Sequence, residues 1–258
     1  MSRSSEILAS KVPEVTLAFW VIKVAATTFG ETGGDTLSMT MQLGYALSTA
    51  VFFAFFIVTV AAQVASKSFR PFLYWAVIVA TTTAGTTMAD YADRSLQIGY
   101  VGGSLLLFTL LMIALGVWRI SVGSVSFNNI VSPKVEIFYW LTILFSNTLG
   151  TALGDFFADD SGLGYEGAAV AFAGALVLLA VAYFYTKISR TLLFWSAFIL
   201  TRPLGAAVGD LLTKPHGDGG FNLSRISSSL IIAAFIVFCI LLTSQRAGRH
   251  SAGREQSS

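Results

Sequence analysis

Four times along this chain a tryptophan is followed fifteen residues later by an aspartate, with a glycine five residues before that aspartate. The sets are Trp20, Gly30, Asp35; Trp75, Gly85, Asp90; Trp140, Gly150, Asp155; and Trp195, Gly205, Asp210. Every frame lies inside a strongly apolar stretch, so each repeat places a carboxylate where an ionised group is expensive, and residues kept at such a cost mark function. A chain bound by this pattern folds as four copies of one unit.

The unit is a pair of membrane helices. Only 12% of residues are charged and 55% are hydrophobic, with a mean hydropathy of +0.73, whereas a soluble domain carries about 25% charged residues. Eight stretches of roughly twenty residues, the length that crosses about 30 Å of hydrocarbon, fall at 13–36, 46–66, 71–91, 101–121, 135–156, 166–186, 191–212 and 226–244. They read as four helical hairpins. A hairpin crosses twice, so all four repeats share one orientation. The expected fold is an all-α integral membrane protein of eight transmembrane helices, arranged as parallel-oriented two-helix repeats around an axis along the membrane normal. The divisions are a cytoplasmic N-terminal segment (1–12), repeats at 13–67, 70–124, 135–189 and 190–244, and a tail (245–258) that reads as disordered.

Basic residues set the topology. Arg3, Lys11, Lys67, Arg70, Arg119, Lys134, Lys187, Arg190, Arg246, Arg249 and Arg254 belong to the termini or to connections between hairpins, while connections within hairpins hold only Arg94, Lys214 and Arg225. The positive-inside rule puts both termini in the cytoplasm. The start has no signal-peptide pattern. The net charge of +2 is a topology signal and implies no nucleic-acid partner; the lipid bilayer is the partner expected. Cys239 is the only cysteine, which excludes disulfides and cysteine-rich metal sites. The sequence carries no signal for oligomeric state.

The repeats align beyond the triplets. LAFW, FLYW, IFYW and LLFW open them, and Leu43-Gly44-Tyr45, Ile98-Gly99-Tyr100, Leu163-Gly164-Tyr165 and, less faithfully, Gly219-Gly220-Phe221 follow the aspartates. On these openings and glycine-to-aspartate endings, from about Val12 to Thr243, the chain resembles a family of bacterial inner-membrane proteins built from four tandem two-helix repeats with a characteristic tryptophan, a repeat of unknown function. The resemblance implies the architecture and a bacterial inner-membrane location, and brings no assigned reaction.

Stepping from each tryptophan by three and then by fours keeps to one helical face. That face carries Lys23, Thr27, Glu31, Asp35; Ile78, Thr82, Thr86, Asp90; Ile143, Asn147, Thr151, Asp155; and Phe198, Arg202, Ala206, Asp210. Beside it runs a small-residue stripe of Gly30, Gly34; Gly85, Ala89; Gly150, Gly154; and Gly205, Gly209. Such spacing lets helices approach closely in lipid, so the first helices gather at the centre and the apolar second helices face lipid.

Asp35, Asp90, Asp155 and Asp210 lie about 22 Å from the level of their tryptophans at 1.5 Å per residue. With Trp20, Trp75, Trp140 and Trp195 as interface anchors, the carboxylates reach the outer third of the membrane. They form either a convergent ion site, with Glu31, Thr86, Thr151 and Asn147 lining it, or hairpin ends that bond backbone amides. Glu31 and Arg202 are placed to pair as a buried gate; Lys23 belongs to the same charge system or snorkels to the surface. Pro203 frees a carbonyl and kinks its helix.

Five intramembrane carboxylates against Lys23 and Arg202 leave a formal balance of minus three, which calls for protons or a bound cation. Oxygen ligands on Asp35, Asp90, Asp155 and Asp210 suit Mg, Ca, Mn or protons, whereas zinc and copper favour histidine or cysteine. A transporter or channel for such a cation is the leading expectation; no cofactor is expected beyond a bound divalent ion. No phosphate loop or nucleophile-and-base arrangement points to an enzyme. The alternatives are a non-catalytic scaffold, a small-molecule-binding membrane protein or, with less support, an intramembrane aspartyl protease suggested by the Gly-Asp pairs.

Overall fold

The computed structural model describes residues 11–125 and 132–248. Eight helices follow one another: α1 (Leu17–Asp35), α2 (Gly44–Ala65), α3 (Pro71–Asp90), α4 (Gly99–Val122), α5 (Pro133–Asp155), α6 (Gly164–Tyr185), α7 (Arg190–Thr213) and α8 (Arg225–Leu242). Local chemistry sets their starts. Thr16, Ser132, Ser189 and Ser224 accept amide hydrogens at the beginnings of α1, α5, α7 and α8, and Pro71 and Pro133 occupy first-turn positions where a missing N–H costs nothing. Among the described residues seven helices are long and apolar enough to cross a membrane; α1, with Lys23, Glu31 and Asp35 in nineteen residues, falls outside that set.

The sequence predicts hairpins, and the structure differs. Each second helix packs along the first helix of the next repeat: α2 on α3, α4 on α5, α6 on α7, and α8 back on α1. The first helices touch in the cycle α1, α3, α5, α7 and again α1. The repeats therefore interlock in a closed ring. The exits direct this. After Asp35, Asp90 and Asp155 the chain takes a π-helical turn (Thr36–Thr40, Tyr91–Ser95, Phe156–Asp160). Two left-handed residues then precede or open the second helix: Gln42 and Gly44, Gln97 and Gly99, Gly162 and Gly164. The glycine of each Leu/Ile-Gly-Tyr motif is thus required for its positive φ.

Repeat 4 leaves differently, which corrects the alignment of Gly219-Gly220-Phe221 with those motifs. Here α7 stays α-helical to Thr213 and the chain doubles back along it, with the Phe221 amide donating to the Leu211 carbonyl (2.7 Å) and the Leu223 amide to that of Leu212 (2.9 Å).

Burial separates the two helix sets. In their most apolar windows 72% of residues are buried in α3 and α5, against 22% in α2, α4 and α8. The small-residue stripe explains how the inner helices approach. A Cβ at Gly30 would overlap Thr82, at Gly85 the backbone of Asn147 and Thr148, at Gly150 Arg202, and at Gly205 Thr27. Thr27, Thr82, Asn147 and Arg202 occupy one repeat position, so each repeat seats that residue in the glycine notch of the preceding one. Gly34, Gly154 and Gly209 receive Thr86, Ala206 and Glu31 in the same way. Hydrogen bonds tie the seams: Thr82 donates to the Ala26 carbonyl (3.1 Å), Thr86 to that of Gly30 (3.1 Å) and Thr27 to that of Thr201 (3.0 Å).

The terminal segments are joined. Pro13 bridges Ala247, the Glu14 amide donates to Arg246, and the Gly248 amide donates to Val12. Residues 245–248 are therefore ordered by pairing, which corrects the disordered tail at its start; 249–258 and 1–10 lie outside the described residues.

Filling a notch should open a seam. Gly205→Ala is expected to destabilise by about 1–3 kcal/mol, read as a lower midpoint of thermal unfolding in detergent, whereas Gly116→Ala in α4, where a Cβ meets nothing within 4 Å, should not lower it.

Candidate functional site

The ring is layered, and the first layer is aromatic. The residue before each tryptophan touches the tryptophan of the next repeat: Phe19 and Trp75 (ring centroids 5.5 Å apart), Tyr74 and Trp140 (5.5 Å), Tyr139 and Trp195 (6.2 Å), Phe194 and Trp20 (5.8 Å). The Tyr74 and Tyr139 hydroxyls share a 3.0 Å hydrogen bond. Trp75 and Trp140 are each 1% exposed. They are core links between repeats and not interface anchors, because the interlocked ring turns them inward; Trp20 and Trp195 are half-buried in the same belt.

Above the belt two side chains cross the axis. Lys23 of α1 reaches Asn147 of α5 (Nζ to Oδ1, 3.4 Å) and lies over the Phe198 ring, 4.1 Å from its centroid. Asn147 in turn donates to the Thr81 hydroxyl (2.8 Å). Lys23 is fully buried, so it does not snorkel: α7 closes over it with Phe198. One level further, Arg202 of α7 donates to Glu31 of α1 (3.1 Å) and to Thr86 of α3, and also approaches the Thr27 carbonyl (3.4 Å). Pro203 fits beside Arg202 because Gly150 and Gly154 of α5 leave room for its ring.

The four aspartates form the far layer, all at least 97% buried. Carboxylate oxygens of Glu31, Asp35 and Asp210 lie within 4.8 Å of one another, the one group among the described residues close enough to hold a metal ion. Asp90 and Asp155 are not in it. They share Arg94 instead, whose guanidinium lies 3.0 Å from Asp90, 3.9 Å from Asp155 and 3.8 Å from Asp159. Thr151 donates to the Asn147 carbonyl of its own helix (3.2 Å).

Sequence reasoning missed the partners of these carboxylates. Arg94, Lys214 and Arg225 read as loop residues, yet all three fold onto the aspartates. Lys214 lies 3.2 Å from Asp210 and 3.9 Å from Asp35, and Arg225 lies 3.4 Å from Asp35. The signal was there: Arg94 and Lys214 each stand four residues after an aspartate, one helical turn away. The balance of minus three is thereby corrected. Six buried carboxylates (Glu31, Asp35, Asp90, Asp93, Asp155, Asp210) stand against five cationic side chains (Lys23, Arg94, Arg202, Lys214, Arg225), of which Lys23 meets Asn147 and Phe198 and no carboxylate, so the formal balance shrinks to minus one. Burial opposes the charge on Lys214, but the Asp210 and Asp35 carboxylates outweigh it and hold the ammonium well above the usual lysine range.

Other polar groups are buried too. Asp93, in the π turn after α3, is 7% exposed and fits against α4 because Gly103 has no side chain. Lys11 and Glu136 form a buried ion pair (2.9 Å) beneath the joined termini, and Tyr100 and Tyr165 both donate to Asp159 (3.0 Å each).

An all-helical ring with seven helices of membrane-spanning length and a charged interior defines the class. The chain belongs to the family described as Repeat of Unknown Function (DUF347), whose model matches four times, over residues 18–69, 73–124, 138–189 and 193–247. Neither a curated protein nor a solved structure matches it.

The Glu31–Arg202 pair gives a test of the interior. Arg202→Met strands a buried carboxylate and should destabilise by about 3–5 kcal/mol. Combining it with Glu31→Gln should recover most of that loss in thermal unfolding; additive losses would show that the two side chains do not interact.

Proposed function

We propose that this protein is a multi-pass carrier of the bacterial inner membrane, with both termini cytoplasmic and its four repeats parallel around an axis along the membrane normal, that binds and moves a cation. The substrate is a proton or a hard divalent ion such as Mn, Mg or Ca. The observation that carries the reading is the approach of Glu31, Asp35 and Asp210 oxygens within 4.8 Å at the buried α1–α7 seam. Three carboxylates in low dielectric repel one another, and that repulsion is relieved by a cation. Lysine, serving now, is an exchangeable one.

The aromatic belt and the joined termini close the tryptophan end, while Arg94, Lys214 and Arg225 cover the aspartate end. With both ends closed and the Glu31–Arg202 pair in between, a carrier that reopens one end at a time fits better than an open channel. The ion pairs that join different repeats, Glu31 with Arg202, Asp35 with Lys214 and Asp155 with Arg94, favour a second reading, a non-catalytic scaffold in which they are clasps between repeats. The two readings differ in flux.

Purified protein in liposomes should move protons or divalent metal ions, and the variant Asp→Asn at 35, 90, 155 and 210 should lose that flux while remaining folded. Wild type that moves none of these ions, or a variant that moves them equally well, would favour the scaffold.

A further inference from the structure

We infer that Glu31, Asp35 and Asp210 form a single binding site for a hard divalent cation at the α1–α7 seam, occupied in this state by the chain's own Lys214, and that the incoming ion displaces the lysine ammonium. The inference rests on the cation-carrier reading and deepens it, since it makes one seam of the ring the substrate site and leaves the other aspartate pair as a clasp.

Three observations support it. The first is what the carboxylates lack. Asp35 and Asp210 are 1% and 3% exposed, and Asp35 Oδ2 and Asp210 Oδ1 accept no hydrogen bond. They meet only the cationic side chains, at 3.2 to 3.9 Å. Buried carboxylate oxygens without directed donors suit a spherical ion, which needs no donor geometry.

The second is the contrast between the two halves of the aspartate layer. Asp90 and Asp155 share a guanidinium, 3.0 Å from the first and 3.9 Å from the second, a cation with a larger, planar head. Asp35 also meets Arg225 (3.4 Å), but the cation it shares with Asp210 is an ammonium on a flexible four-carbon stem, a point charge that a metal ion can replace.

The third is the setting of Lys214. It terminates α7, and its backbone is fixed: its amide donates to the Asp210 carbonyl (2.8 Å), its carbonyl accepts from the Asn222 amide (2.9 Å), and Gly220 packs so tightly on it that no Cβ fits. Its side chain, 11% exposed, retains a path to the surface, whereas Arg202 below is 0% exposed. Displacement therefore needs a side-chain swing and no backbone movement. Only repeat 4 has the return segment that fixes this lysine, which explains why one seam and not all four would serve.

The test is Mn2+ binding to the full chain in nanodiscs, read from the loss of the free-ion resonance signal. Lys214→Gln should bind Mn2+ about tenfold tighter than wild type, and adding Asp210→Asn should abolish the gain. Lys214→Arg retains a charge and should bind no tighter than wild type; it also serves as the check should Lys214→Gln fail to fold, since an arginine variant that gains affinity overturns the inference. Equal Mn2+ affinity in wild type and Lys214→Gln overturns it as well while leaving cation transport standing. No Mn2+ binding in either protein, with proton flux intact in liposomes, does the same. No binding and no flux of any cation would overturn both.

Discussion

The structure depends on how closely its four inner helices approach, and that approach is set by glycine. At each seam a residue of one repeat crowds the space that a Cβ of the preceding repeat would need: the side chains of Thr82 at Gly30, Arg202 at Gly150 and Thr27 at Gly205, and the backbone of Asn147 and Thr148 at Gly85. Between apolar helices in lipid, close packing and interhelical hydrogen bonds do the work that the hydrophobic effect does in water. Because the notch of one repeat receives a residue of the next, no repeat satisfies itself. The outer helices follow the same rule, each lying on its neighbour's inner helix until α8 returns to α1.

Close approach also makes the charged interior tenable. Helices held at glycine distance bring Arg202 of α7 onto Glu31 of α1 and Lys23 onto Asn147 across the axis. The aspartates at the ends of the inner helices would repel one another if left alone, and Arg94, Lys214 and Arg225 fold in from the connections to meet them. Buried pairs of this kind add little net stability, because desolvation offsets their attraction. In the carrier proposed above these pairs would belong to the ion site, with the lysine at the α1–α7 seam the member displaced.

Much of the architecture was legible in the residues. Span lengths, the fourfold repeat, the inner position of the first helices and the small-residue stripe all follow from periodicity, which reports which face of a helix is apolar or small. Periodicity does not report which helix lies opposite. The hairpin expectation failed for that reason: the π turns and the left-handed Gln42 and Gln97 that send the chain to the next repeat leave no hydrophobic signature. Trp75 and Trp140 were misplaced because a residue near a span's end reads as interfacial, whereas they pack on Phe19 and Tyr74 of the preceding repeats. Arg94, Lys214 and Arg225 were assigned to loops because the positive-inside rule counts basic residues by segment and takes no account of where their side chains reach.

Everything proposed for the α1–α7 seam requires repeat 4 to close on repeat 1, where α7 and α8 both pack on α1, so the most direct measurement addresses that closure. Ser229 of α8 donates to Thr32 of α1 at 2.9 Å. With Cys239 replaced by serine, cysteines at 32 and 229 should form an intramolecular disulfide under mild oxidation in native membranes. Failure of that pair to join, with ready cross-linking between α7 and α8 instead, would mean that the repeats are independent hairpins and that the interlocked ring is wrong.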